Sequence, residues 1–337
     1  MTDTTRIVLA RRPDGEPTHD DFRTETVSLA EPQDGEVLLQ TLYLSLDPYM
    51  RGRMNDTKSY AAKVELGDPM VGGTVSRVLQ SNAEGLRAGD VVLGYAGWQT
   101  HSVERAKHLV KLDPEQAPLS TALGVLGMPG FTAYSGLLTI GQPKPGETVA
   151  VAAATGPVGS AVGQIAKIKG ARAVGIAGGP EKAAYLRELG FDAAIDHRAD
   201  DFAEQLKAAV PDGIDVYFEN VGGKVWDAVL PLMNEFGRVP VCGLVSGYNS
   251  TSLPEGPNRV PALMGAVLTK SLTLRGFIQR EFADQMPQFR REMSQWITDG
   301  KVKYREDITQ GLDRTVDTFI GMLRGENFGK VVIEVAQ

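Results

Sequence analysis

The sequence predicts an α/β protein in which a strand-rich first domain precedes a doubly wound parallel sheet. Three observations lead there. The chain has 337 residues, enough for about two domains at roughly 100 to 200 residues each. Its first third alternates with the two-residue period of strands. From about Gly146 the rhythm changes to strand, helix, strand, helix, the pattern of a parallel sheet covered on both faces. The formal net charge is −7 with no basic tail, which disfavours nucleic acid and anionic membrane surfaces as partners. With 42% hydrophobic and 23% charged residues the composition is that of an ordinary globular protein. One cysteine, Cys242, permits neither an intrachain disulfide nor a thiolate zinc cluster. No secretory layout opens the chain, so a cytoplasmic protein is expected.

In the first third, short strands are expected at 5–9, 36–44, 70–78, 90–95 and 109–112, separated by turn residues such as Pro32 to Gly35 and Ala88 to Asp90. Together they suggest a small antiparallel barrel or sandwich. Segments 116–143 and 148–166 lack charge, yet Pro, Gly and hydroxyl residues interrupt them. A buried core around a binding site explains them better than a bilayer helix. Beyond, strands are expected at 148–154, 173–177, 193–195, 214–219, 238–245 and 272–277, with helices at 158–169, 181–189, 200–210, 224–234 and 261–270. Six such strands make a complete doubly wound unit. Amphipathic stretches at 283–297 and 315–323 precede a last strand at 330–335.

The chemically informative junction is TVAVAAATGPVGSAVG, Thr148 to Gly163. A buried strand ends at Ala154, and Gly156 and Gly159 punctuate a turn that opens into a helix. Such a turn lets a pyrophosphate approach the backbone and rest on the helix N-terminus, where unpaired amides and the dipole favour an anion. Pro157 suits the first helical turn because its missing N–H would be unpaired anyway. Ala154 replaces the first of three glycines in the strict pattern, which weakens the motif alone. The strand before it, the helix after it and a second strand within about thirty residues restore it.

A ribose with a free 2′-hydroxyl is usually held by Asp or Glu at the end of the second strand. Here that end reads Ile176, Ala177, Gly178, Gly179, with Lys182 in the next helix. A cation there is mildly unfavourable to the helix dipole unless a 2′-phosphate faces it. NADP is therefore preferred to NAD, although Lys182 could also be a plain surface lysine.

Several strings resemble the medium-chain dehydrogenases/reductases, specifically the zinc-independent branch of leukotriene and prostaglandin reductases, alkenal double-bond reductases and bacterial curcumin-reductase-like enzymes. They are LSLDPYMRGRM (Leu44 to Met54), GMPGFTAYSGLL (Gly127 to Leu138), AATGPVGSAVGQIAK (Ala153 to Lys167), YFENVGG (Tyr217 to Gly223), CGLVSGYN (Cys242 to Asn249) and GENFGK (Gly325 to Lys330). The resemblance spans nearly the whole chain and keeps the motif order. It implies a GroES-like barrel-type domain over 1–127, completed by 299–337, and a Rossmann NADP-binding domain over 128–298. It also implies homodimers paired through the nucleotide domains, and no metal.

Site residues carry over by the same resemblance. Gly156, Pro157, Val158 and Gly159 would hold the pyrophosphate, and Gly178 and Lys182 the 2′-phosphate region. His197 stands where relatives carry a Tyr near that phosphate, so either a phosphate contact or a surface histidine is implied. Asn220 would lie near the cofactor. Cys242, Gly243, Leu244, Val245, Ser246 and Tyr248 would line the nicotinamide and ribose. Phe277, Ile278 and Gln279 would wall the nicotinamide, and Asn327 would close over it; plain core packing is the alternative for Cys242, Phe277 and Ile278. Tyr49, Arg51, Met128 and Tyr134 would lie toward the substrate. For Arg51 and Arg53, solvated charges after a turn are as good a reading as carboxylate recognition.

The implied reaction is NADPH-dependent reduction of a carbon–carbon double bond conjugated to a carbonyl. Tyr248, protonated at neutral pH, is the candidate donor to the oxygen on which negative charge develops, unless it merely packs on the nicotinamide. The rivals are a quinone reductase and a non-catalytic NADPH-binding protein.

Overall fold

The computed structural model describes residues 2–252 and 256–336. The chain divides into two compact units, Met1–Leu123 with Glu306–Gln337, and Gly124–Arg305. In chain order the first unit contributes β1 (Asp3–Leu9), β2 (Phe22–Ser28), β3 (Glu36–Ser45), α1 (Tyr49–Arg53), β4 (Thr74–Ser81), β5 (Val91–Gly94), β6 (His101–Arg105) and β7 (Val110–Leu112). The second holds α2 (Met128–Ser135), β8 (Thr148–Ala152), α3 (Pro157–Ile168), β9 (Arg172–Ala177), α4 (Pro180–Glu188), β10 (Ala193–Asp196), α5 (Phe202–Ala209), β11 (Ile214–Phe218), α6 (Gly223–Val229), β12 (Met233–Val241), α7 (Val260–Thr269), β13 (Thr273–Gly276) and α8 (Met286–Thr298). The chain then returns to the first unit with β14 (Glu306–Gln310), α9 (Thr315–Leu323) and β15 (Lys330–Glu334).

In the first unit β3 pairs antiparallel with β4, β6 and β15, and β14 adds in parallel to β15. A separate ribbon joins β1 and β2. The core is an aromatic stack in which Phe22 lies parallel to Trp98 at 5.6 Å and Phe319 of α9 meets Trp98 edge-on at 5.3 Å. The C-terminal helix therefore completes a core that the N-terminal strands begin. Sequence reading misses β2, β6 and β14. In β2 only Phe22 is buried, so the apolar alternation that announces a strand is absent.

The second unit is a six-stranded parallel sheet in the order β10-β9-β8-β11-β12-β13. Numbered from β8 this is 3-2-1-4-5-6, the order of a Rossmann sheet, and the six-stranded doubly wound unit is the one expected from the sequence. Its direction reverses between β8 and β11, and ligands of such sheets bind outside the carboxyl ends of the strands at that reversal. Every residue of β8 is buried, as expected for a central strand covered on both faces. The uncharged 116–143 segment contains α2, seven of whose eight residues are buried. Among the described residues no helix is long and apolar enough to cross a membrane. The helix expected at 224–234 stops at Val229, and β12 has begun by Met233. Leu230-Pro231 ends it, since proline cannot continue the α-helical ladder.

Candidate functional site

The turn between β8 and α3 is tied from both sides. The Ala154 amide donates to the Ile176 carbonyl of β9 at 3.0 Å, and the Gly156 amide to the Ala153 carbonyl at 3.0 Å. The left-handed residue is Ala153, with φ of 50°, whereas Gly156 has an ordinary φ of −71°. Turn geometry therefore does not require glycine at 156. Gly159 serves helix–strand packing: a Cβ there would stand 2.7 Å from Ala154 Cα and 2.9 Å from the Ala153 carbonyl carbon. Pro157 is the first residue of α3, with Val158 half-buried behind it. The first-turn amides of a helix lack intrahelical partners, so this cradle presents N–H groups to an anion.

Beside it, at the end of β10, which pairs with the end of β9, Asp196 Oδ1 accepts from the amides of Gly179 and Arg198, at 2.8 and 2.9 Å. Those bonds, the one from Gly179 foremost, hold its carboxyl below the usual range. A Cβ on Gly178 would lie 2.9 Å from Arg198 Nε and 3.0 Å from His197 Nε2. His197 Nδ1 is buried without a hydrogen-bond partner. Burial first, then the charges of Lys224 and Arg198, lower the imidazole's pKa. Lys182 is the third residue of α4, half-buried. The structure thus adds Arg198 and Lys224 to the cationic rim expected from Lys182 and His197. Their only signal in the sequence is adjacency, in His197-Arg198 and Gly223-Lys224.

Across the reversal, Asn220 Nδ2 donates to the Ala152 carbonyl at 2.9 Å, pinning the end of β11 to the end of β8. The buried carboxylate of Glu219, which sequence reading passed over, accepts from the Val221 amide at 2.7 Å, the Gly222 amide at 2.9 Å and the Tyr217 hydroxyl at 3.1 Å. Burial nonetheless raises its pKa. The Val245 amide donates to the Asn220 carbonyl at 3.1 Å, and the Ser246 hydroxyl to the Val221 carbonyl at 2.6 Å. A Cβ on Gly243 would stand 3.1 Å from the Tyr248 hydroxyl oxygen, so that hydroxyl lies over the Gly243 backbone. Asn220, Gly243, Val245, Ser246 and Tyr248 thus form one network, with Leu244 exposed beside it. Burial, helped by the Glu219 charge, pushes the Cys242 thiol up to about 12. A thiol so shifted is a packing group, not a nucleophile.

Other expected residues sit deeper. Phe277 is buried, edge-on to Phe218 at 6.1 Å and tilted against Phe282 at 6.0 Å. Ile278 and Gln279 follow it half-buried. Met128 is half-buried at the start of α2, and its carbonyl accepts from the Thr132 hydroxyl at 2.8 Å. Tyr134, expected toward the substrate, is only 3% exposed. Its ring packs on Phe289 at 5.6 Å and Trp296 at 6.1 Å, and its hydroxyl donates to Glu292 at 3.1 Å. Those contacts belong to the helical core of this unit.

In the first unit, Tyr49 opens α1, and burial, then the Asp47 charge, raises its pKa. Arg51 and Arg53 are 3% and 5% exposed, which corrects the reading of solvated charges. Arg51 donates to the Asn55 side chain at 2.6 Å and the Gly15 carbonyl at 2.7 Å. Arg53 donates to the Ala61 carbonyl at 3.0 Å, with its guanidinium 4.3 Å from the Tyr60 ring centroid. Both knit loops together. Asn327 Nδ2 donates to the Gly329 carbonyl at 3.0 Å.

Residues 5–112 match the family described as the N-terminal domain of oxidoreductase, and residues 157–297 the family described as zinc-binding dehydrogenase. Among the described residues no group of three or more His, Cys, Asp and Glu could hold a metal ion. The chain is 59% identical over 333 residues to the NADPH-dependent curcumin reductase of Escherichia coli K12, covering 98% of this chain and 96% of that protein. It is 43% identical over 325 residues to prostaglandin reductase 1 of Bos taurus, covering 95% of each. The crystal structure of CurA from Vibrio vulnificus in complex with NADPH superimposes with a TM-score of 0.95 at 51% identity, covering 99% of both chains.

Proposed function

The chain belongs to the zinc-independent branch of the medium-chain dehydrogenases/reductases, and from that membership we propose that it is an NADPH-dependent reductase of the carbon–carbon double bond in α,β-unsaturated ketones and aldehydes. The observation that carries the reading is the pairing, on one sheet, of two features. One is a phosphate cradle at the sheet reversal, bordered by cations. The other is a tyrosine hydroxyl held over the Gly243 backbone in the network of Asn220. NADPH fits these residues: Gly156 and Gly178 present bare backbone where its phosphates would lie, and His197 Nε2 and Arg198 Nε converge on Gly178.

When bound, NADPH supplies a hydride to the β carbon. The chain's own part is to position and to stabilise. Gly156 to Gly159 receive the pyrophosphate on the α3 amides. Lys182, Arg198 and Lys224 face the 2′-phosphate, which is why no carboxylate closes β9. Tyr248 donates to the substrate's carbonyl oxygen as enolate charge builds there, the interaction that lowers such a barrier most. Glu219 holds the Val221-Gly222 backbone, on which the Ser246 turn rests.

The test is loss of reduced-nicotinamide absorbance with NADPH and NADH in parallel against an alkenal, a long-chain enone and a quinone, with the products identified. Turnover with NADPH that yields the saturated carbonyl supports the reading; quinone-only turnover or none sinks it. In the same assay Tyr248→Phe is expected to lower kcat about 10²- to 10³-fold, the cost of one lost donor to a developing oxyanion, with the NADPH KM little changed.

A homodimer is part of the proposal, and α7 and β13 support it. Val260, Met264 and Leu268, at i, i+4 and i+8 on α7, are 58, 59 and 80% exposed. Among the described residues β13 pairs only with β12, which leaves the sheet edge open. A second copy would cover both. Leu268→Asp is expected to convert the sedimenting species from dimer to monomer; an unchanged wild-type monomer would refute the assignment. A cytoplasmic location accords with the single cysteine, and recovery of the protein in a membrane or exported fraction would contradict it.

A further inference from the structure

We propose that His197 is a proton-coupled specificity residue, taking up a proton as the 2′-phosphate of NADPH enters the Gly178 cradle, so that the preference for NADPH over NADH strengthens as pH falls. The inference rests on the NADPH reading and goes beyond it. The geometry carries it. His197 Nε2 and Arg198 Nε stand 3.0 and 2.9 Å from the point where a Cβ on Gly178 would lie, so ring and guanidinium converge on a backbone position just past β9 that has no side chain. Nδ1 of the same ring is buried and unmatched, although buried polar atoms are almost always paired. The His197 amide donates to the Ala177 carbonyl at 2.9 Å, fixing the residue against the strand whose end it overlooks.

The charges around the ring set the direction. Arg198 follows it, Lys224 reaches it from the start of α6, and both disfavour a third positive charge; Asp196, on its other side, favours one. Asp196 is held in place by the Gly179 and Arg198 amides. The first turn of α4 brings Glu181 and Lys182 after Gly179. With burial, the largest effect, added, the ring without ligand holds its proton less readily than a free imidazole. A phosphate dianion beside it favours the imidazolium. The complex therefore holds more protons than its parts between the free and the bound pKa of the ring. Affinity gains as pH falls through the bound value and stops gaining below the free one. Protonation of the phosphate itself, near pH 6, works the other way by removing ligand charge.

The experiment is titration calorimetry of the full-length protein with NADP+ and with NAD+ between pH 6 and 8, for wild type and His197→Gln. The expected result is a wild-type Kd ratio of NAD+ to NADP+ that falls about tenfold from pH 6 to 8, corresponding to one unit of coupling. In His197→Gln the ratio should stay flat or rise as the phosphate loses its proton. Wild type in two buffers of different ionisation heat should take up about half a proton with NADP+ near pH 7, the most that one unit of coupling allows, and none with NAD+, a readout that needs no variant. A ratio with the same pH dependence in both proteins, or NADP+ binding without proton uptake, overturns the inference and leaves the cofactor reading standing. Failure of NADP+ to bind at any pH overturns both.

Discussion

Lys330→Met is expected to destabilise the first unit by about 3 to 5 kcal/mol, the cost of removing one partner from a buried ion pair and leaving the other charge alone. The Lys330 and Asp47 side chains are 3% and 9% exposed, with Nζ 2.8 Å from Oδ1. Nζ also donates to the Leu46 carbonyl at 2.6 Å, while the Ser45 hydroxyl donates to Asp47 Oδ2. The pair spans 283 positions of sequence and joins the start of β15 to the turn that opens α1. The loss should appear as a lowered denaturation midpoint with near-ultraviolet signals of the first unit. Adding Asp47→Leu to Lys330→Met should restore much of it, because an apolar pair of similar volume leaves no stranded charge. A single variant as stable as wild type would show that the carboxylate finds water or another partner.

Gly159→Val is the second large effect. The clash falls on backbone, at Ala154 Cα and the Ala153 carbonyl, not on the movable end of a side chain. Helix α3 must retreat from β8, and the cradle opens with it. Overpacking of this kind typically costs about 1 to 3 kcal/mol, and the displaced amides should weaken NADPH binding at least 100-fold. Fluorescence titration with NADPH and thermal melting measure the two losses. Wild-type affinity in a folded variant would place the phosphates elsewhere.

Much of the fold was legible. The parallel sheet shows in the sequence because fully buried strands read as continuous apolar runs and the helices between them keep their own period. The phosphate turn shows because glycine spacing and Pro157 are local constraints, met within a dozen residues. The strands that were missed, β2, β6 and β14, each carry one or two apolar residues among polar ones, so the periodic signal had little to act on. The helix expected to run to 234 overran a proline whose effect is also local, and that one was readable.

The sequence by itself determined the order of elements, the cradle and the absence of a carboxylate at the end of β9, all consequences of short-range stereochemistry. Only the tertiary structure decided that Ala153 takes the left-handed turn, that Arg51 and Arg53 are buried and bonded, and that Tyr134 lies in a helical core. It alone brought His197 and Arg198 to Gly178, and Lys224 to His197. Burial and charge pairing depend on which distant segments pack together, and a side chain's desolvation and its partner's field follow from that packing. No window of sequence contains the 283-residue reach of Lys330 to Asp47.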